Sequence, residues 1–336
     1  MNLYVGSALR RLWILLLVAL LAATVTTAAA AAGVVNVASY GHDDGAIRQA
    51  LTAAAAQGAS LYFPAGTYTY DSTLTLNGLS AYGDGAGSVL VATSPSSSAI
   101  VLTGSYPSLR AVKVTSPNAT QRLTNDESSG VLIRDASHFT VEDVTVSGEG
   151  SAGILTRDST DGRIVRDVVA NTEADGIHNT DGSSYINIGW NRVTGTGDDF
   201  ISVVSYRSDG RRCHDINVYW NTVGWQPWGR GIAFVGGYNL YASSNNIQHT
   251  YGAGIYVASE SAWSTYGIDH VVLNSNTIRY PAQGIHNANI RVSGSQPGYP
   301  ITNVTGSAND VDPSKPAVRA SGYISGISIG IVASQP

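Results

Sequence analysis

The sequence predicts an all-β solenoid of short stacked strands with one helix near its N-terminus. Two observations carry this, a repeated strand opening and a residue column that runs through the repeats. Seven segments open alike: Ser129-Gly130-Val131, Ala152-Gly153-Ile154, Asp175-Gly176-Ile177, Asp199-Phe200-Ile201, Arg230-Gly231-Ile232, Ala253-Gly254-Ile255 and Gln283-Gly284-Ile285. Their middle residues step by 23, 23, 24, 31, 23 and 30. A period in that range marks a repeat architecture in which each unit buries its apolar face only against its neighbours. The residue after the marker is Val once and Ile six times, an inward-facing aliphatic ladder. The second column is Asp143, Asp167, Asn191, Asn221, Asn246 and Asn276, residues that pass side-chain hydrogen bonds from coil to coil and tolerate left-handed backbone.

At the N-terminus, Arg10 and Arg11 precede an uncharged run from Leu12 to Ala32, Leu-rich and then Ala/Thr-rich. This is the charge, apolar stretch and small-residue pattern of a secretory signal peptide over residues 1–32, which leaves residues 33–336 as a single domain in a secreted or periplasmic protein. Left uncleaved, the same run is long enough to span a bilayer, the one route to a membrane association. The mature chain carries 17 basic and 24 acidic side chains. That balance excludes general nucleic-acid binding, which requires a basic face. Cys213 is the only cysteine, so the exported chain has no internal disulfide and no thiolate metal site. Nothing in the sequence calls for a cofactor, and the expected state is a monomer.

Between Asp43 and Gln57 the apolar residues Ile47, Ala50, Leu51 and Ala54 fall at helical spacing. Asp43 or Asp44 can cap the start and Gly58 can end the helix. Ser60 to Tyr68 reads as a strand interrupted by a Pro-Ala-Gly turn and then resumed. The repeats follow, two of them longer than the rest. The extra length falls in Tyr206–Cys213 or Gly224–Trp228, and in Ser259–Tyr266, where insertions wall a groove. From about Asn289 the period fades, and 307–336 reads as a last irregular coil and tail.

Val35-Asn36-Val37, the helix and Tyr62-Phe63-Pro64-Ala65-Gly66-Thr67-Tyr68 together resemble the N-terminal cap and first coil of the pectate-lyase-like proteins. That resemblance implies a right-handed parallel β-helix with a short N-terminal capping helix.

Charge in the column before the marker appears only in the middle of the stack, as Asp175, Asp199 and Arg230 on successive coils, with Asp198 beside Asp199. Coils lie about 5 Å apart, so these carboxyls perturb one another. A crowded carboxyl can stay protonated to deliver a proton to a leaving oxygen, while an ionised one activates water, as glycoside hydrolysis requires. A lone Asp followed one coil later by an Asp-Asp pair resembles the polygalacturonase family of glycoside hydrolases and the dextranases. The resemblance implies Asp198 as general acid and Asp175 and Asp199 as the residues that hold the water, with inversion at the anomeric carbon. Asn179-Thr180-Asp181 matches the family's Asn-Thr-Asp string, but Asp181 shares its column with the turn residues Asp135 and Asp158, so register selects Asp175.

Gly229-Arg230-Gly231 stands where that family has Gly-His-Gly, and Tyr256-Val257-Ala258 where it has a basic pair that holds a galacturonate carboxylate. The substrate expected is therefore a polysaccharide other than pectin. A neutral glycan is favoured, and Arg230, Arg207, Arg211 and Arg212 keep an acidic one open. Arg230, His178 and Tyr256 are taken as substrate-binding. So are Trp225, Trp228 and Trp263, which sit in the insertions and whose flat faces suit sugar rings. Trp190 and Trp220 read equally as packed parts of the wall. Two other readings stay open. One is a polysaccharide lyase or uronate epimerase using Arg230, with Ca²⁺ held by the Asp residues. The other is a non-catalytic, glycan-binding or adhesive solenoid.

Overall fold

The computed structural model describes residues 33–225, 228–284 and 287–333. The segment read as a signal peptide lies outside them, as do Ile285 and His286. Among the described residues no helix is long and apolar enough to cross a membrane.

The described residues open with a strand, Val34–Asn36, whose register partner is Ser60–Phe63. Between them lies helix α1, Asp44–Gln57. The Asp43 side chain accepts from the Ala46 amide at its start, and Gly58 closes it in left-handed backbone at φ 59°. Ile47, Ala50 and Ala54 face inward, so α1 covers the end of the stack and removes an open strand edge there. The Pro64-Ala65 break and the resumed strand Gly66–Tyr70 follow as expected.

Each coil from Leu74 to Arg279 carries three strands. In one coil they are Ile177–Thr180, Ser184–Gly189 and Arg192–Thr194, and each pairs in parallel with the equivalent strand of the coils before and after. Three parallel sheets result. The marker ladder is in register from Val131 through Ile154, Ile177, Ile201 and Ile232 to Ile255, every member fully buried. Burying each such side chain contributes about 1.5–3 kcal/mol. A second ladder, Val146, Val169, Val193, Val223 and Ile247, lines the short-strand sheet. The marker glycines follow from this packing: a Cβ on Gly153 would lie 2.3 Å from Val169 and 2.8 Å from the Gly176 carbonyl.

The structure corrects three expectations. The partner of Ile255 is Ile290, at the head of the strand Ile290–Gly294, so Gly284-Ile285 is not a seventh marker. Ten residues, 280–289, separate this strand from the one before, against six at 249–254, and that insertion displaced the true opening. The polar column runs through Asp167, Asn191, Asn221, Asn245, Asn276 and Asn309. Asp143 and Asn246 each lie one residue off it: Val144 takes the first position, and the Asn221 amide donates to Asn245. Finally, 307–333 is no irregular tail, because the strands Ile301–Val311, Val318–Gly322 and Ile324–Ala333 continue the stack in parallel register; residues 334–336 lie outside the described residues.

The groove-forming insertions sit at 205–213, nine residues where the coil before has three, and at 260–267. Their backbones zip together. Arg207 donates to the Ser264 carbonyl at 2.9 Å and Tyr266 to the Ser205 carbonyl at 2.9 Å. A further insertion, residues 116–130, lies ahead of the first marker.

Candidate active site

The column of Asp175, Asp199 and Arg230 holds in three dimensions. Gly153, Gly176 and Phe200 donate in turn to the carbonyls of Asp175, Asp199 and Arg230 at 2.9–3.0 Å. The side chains continue the ladder: the Asp199 amide donates to Asp175 Oδ1 at 3.1 Å, and the Arg230 amide to Asp199 Oδ1 at 2.6 Å. Asp198 turns out of this column because Gly197 lets the chain come close to the preceding coil. A Cβ there would meet the Glu173 carbonyl at 2.3 Å. Thr196 then donates to the Asp198 carbonyl at 2.7 Å and fixes the turn.

One carboxyl oxygen from each of Asp175, Asp198 and Asp199 lies within 4.8 Å of the others. The three differ in exposure: the side chains of Asp175 and Asp199 are 10% and 5% accessible, that of Asp198 22%. Asp175 Oδ2 contacts His178 Nδ1 and accepts from Ser202 Oγ at 2.6 Å, while Ser202 Oγ lies 2.8 Å from the same imidazole nitrogen. Arg230 Nε stands 3.1 Å from Asp199 Oδ1 and its Nη1 3.9 Å from Asp198 Oδ1. The guanidinium rests 4.8 Å above the Tyr256 ring. Asp198 Oδ2 accepts from Arg122 Nη1 at 2.9 Å.

These contacts pull the carboxyls apart in proton affinity. Burial pushes Asp175 up, but His178, Ser202 and Arg230 outweigh it and hold this carboxyl below the usual range. Burial raises Asp199 well above that range, with Arg230 opposing and the Asp175 and Asp198 charges adding to it. Asp198 is raised too, by burial first and the Asp175 charge second, against Arg122 and Arg230. Asp198 and Asp199 thus titrate jointly against an ionised Asp175.

The cluster forms part of the lining of a cleft of about 500 Å³ that runs along the first-strand sheet. His178, Arg230, Trp228 and Trp263 line it with the three Asp residues, as do Arg122, Tyr206 and Glu260. Burial pushes the Tyr206 phenol up to about 12. Two residues taken as substrate-binding are elsewhere. Tyr256 is buried beneath Arg230, and Trp225 stacks on His249 outside the cleft lining. Asp181 lies past the far end of its strand, paired with Arg157 and Arg211, in left-handed backbone like Asp135 and Asp158. Arg122 and Glu260 escaped the sequence reading. Arg122 belongs to the insertion ahead of the first marker, and no spacing connects it with Asp198, 76 residues on. Glu260 opens an insertion already expected to wall the groove, and an isolated acidic residue in a loop gives no further signal.

Residues 66–223 match the family model described as right handed beta helix region. The fold is a right-handed parallel β-helix. Among solved structures, this β-helix superposes on the Agl-KA catalytic domain with a TM-score of 0.73 at 20% identity, over 90% of this chain and 58% of that one. It superposes on the A-module of the mannuronan C-5 epimerase AlgE4 of Azotobacter vinelandii with a TM-score of 0.65 at 16% identity, over 89% and 95% of the two chains. A thermostable GH87 alpha-1,3-glucanase of Streptomyces thermodiastaticus strain HF3-3 gives a TM-score of 0.66 at 16% identity, over 90% and 69%. At these identities the likeness is one of fold, and the β-helix spans a little over half of the first structure's length. No curated protein matches the sequence.

Proposed function

We propose that this β-helix is an exported glycoside hydrolase that cleaves a neutral polysaccharide. The observation that carries the reading is the three-carboxyl cluster in the cleft, with one member held ionised and two held toward protonation. Asp198, the most exposed, is the general acid for the leaving oxygen. Asp175 and Asp199 hold the attacking water, and Arg230, with Nε 3.1 Å from Asp199 Oδ1, favours the ionised form of Asp199. Arg122 keeps the acid oriented. Trp228 and Trp263 face the sugar rings.

The glucanase neighbours support a carbohydrate substrate. The nearest carboxyl oxygens here are closer than the roughly 6.5–9.5 Å common in inverting sites. That spacing is nearer the roughly 5–5.5 Å of retaining sites, so the anomer of the product decides between a water held by Asp175 and Asp199, which inverts, and a covalent glycosyl-enzyme, which retains. Export directed by 1–32, with removal of that segment, belongs to the same proposal.

Incubation of the purified protein with a polysaccharide panel, read by reducing ends and by ultraviolet absorbance, tests the proposal. Reducing ends without an unsaturated chromophore, and an inverted anomer by NMR, are expected. A chromophore would favour the lyase reading, a changed uronate without chain cleavage the epimerase, and binding without either the adhesive one.

A further inference from the structure

A second face of the solenoid carries a trough of about 570 Å³. It lies on the short-strand sheet, over Thr222–Gly224, Asn246–Gln248 and Thr277–Arg279, and shares no lining residue with the cleft. Thr222, Asn246, Gln248 and Thr277 supply uncharged polar groups. The charged residue among its lining, Arg279, is paired with Asp310.

Two turn columns border this sheet, and both put aromatic rings where backbone geometry disfavours them. Ahead of the strands stand Trp190 and Trp220, at φ 57° and 55° and with 53% and 60% of their surface exposed. Behind them the column reads Gly148, Asn171 and Gly195, then Trp225, His249 and Tyr280 at φ 61°, 48° and 50°. The first three are residues that left-handed backbone accepts readily. His is tolerated there too, whereas Trp and Tyr are uncommon. Three successive coils nevertheless carry rings, and these stack into a rib: Trp225 on His249 at 5.1 Å, and His249 on Tyr280 at 4.6 Å. Gly195, one coil before Trp225, has no side chain to cover the outer indole face, and Trp225 is 53% exposed.

Folding alone would be served as well or better by Gly or Asn at these positions, so the rings point to a ligand. Flat exposed rings beside amide and hydroxyl groups, with no unpaired charge in the trough lining, suit the apolar ring faces and hydroxyls of an uncharged sugar chain. We infer that the short-strand face is a second, non-catalytic binding site for a neutral polysaccharide, with Trp220 and Trp225 as its stacking surfaces. The inference rests on the proposed function only for the class of polymer.

Sedimentation of the full-length Asp198→Asn protein with insoluble α-1,3-glucan, and native electrophoresis through gels holding starch, dextran, alginate or polygalacturonate, tests it. Retention by at least one neutral polymer is expected. Adding Trp220→Asn and Trp225→Gly, substitutions that left-handed backbone accepts, should weaken that retention about tenfold, as loss of two stacking anchors implies. The same pair in the otherwise unaltered enzyme should leave turnover of a short oligosaccharide unchanged and Tm no lower. Undiminished retention, retention by acidic polymers alone, absence of any retention, or a fall in Tm matching the loss of binding would each overturn the site. A protein that holds polymer through these tryptophans but cleaves nothing would refute the hydrolase while leaving the site standing.

Discussion

Arg122 and Arg230 show how single side chains set the chemistry of the cleft. Each lowers the proton affinity of Asp198, which burial and the Asp175 charge raise. A general acid works only while protonated, so activity falls as pH rises through its proton affinity. Removing either guanidinium raises that affinity, and the alkaline limb of the pH–activity profile should move upward in both Arg122→Ala and Arg230→Gln. Profiles of kcat on the best substrate check this. An unmoved profile for Arg230→Gln, with a large rise in KM for an acidic glycan, would instead mean that Arg230 binds a substrate carboxylate. The aspartates were legible in the sequence because register places them. Arg122 was not, because a contact across 76 residues leaves no periodic trace, and Ser202, in register one coil after His178, is a residue type that gives no signal by itself.

At the scale of the coil, the polar ladder explains an odd residue. Asn191, Asn221, Asn245, Asn276 and Asn309 each accept an amide through Oδ1 and donate through Nδ2 to a buried carbonyl. Asp167 accepts from the Val144 amide in the same way, but its Oδ2 is buried without a partner. Burial raises its proton affinity well above the usual range. With the folded-state value raised, the contribution of Asp167 is most favourable below the unfolded value near 3.8 and is lost as pH rises through the folded value. Asp167→Asn should therefore stabilise the protein by about 1–3 kcal/mol at neutral pH, with the gain shrinking toward pH 3. Thermal melts of both proteins across pH check the sign. Packing predicts the opposite effect for Gly153→Ala, whose Cβ meets Val169 and the Gly176 carbonyl: a loss of about 1–3 kcal/mol by chemical denaturation. The ladder's chemistry was legible from composition, but its register at Asn245 and Asn246 was not, since two adjacent asparagines read alike until the strands are paired.

Over the whole molecule, the period of 23 to 24 residues was enough to read the solenoid, because every coil repeats one aliphatic position. Insertions hid the rest. The one at 280–289 moved the last strand openings away from the Gly-Ile pair that mimics them, and the replacement of the marker glycine by Asn289 and Ala317 ahead of Ile290 and Val318 made a continuing stack look like a tail. The insertions that remain on the first-strand side build the cleft, and the short-strand side carries the second trough. Export, cleavage of 1–32 and a monomeric state are expectations of the same reading, open to N-terminal sequencing of secreted protein and to light scattering. The central claim is that Asp198 is the acid of a hydrolytic centre built from three carboxyls. Its most direct test compares reducing-end release by the wild type, Asp198→Asn and Asp181→Asn on the best polysaccharide of a panel. The account predicts that Asp198→Asn keeps less than about a hundredth of wild-type kcat with its fold and polymer binding intact, while Asp181→Asn stays within a few-fold. Activity surviving in Asp198→Asn and lost in Asp181→Asn would contradict it and move the chemistry to the far end of the strand.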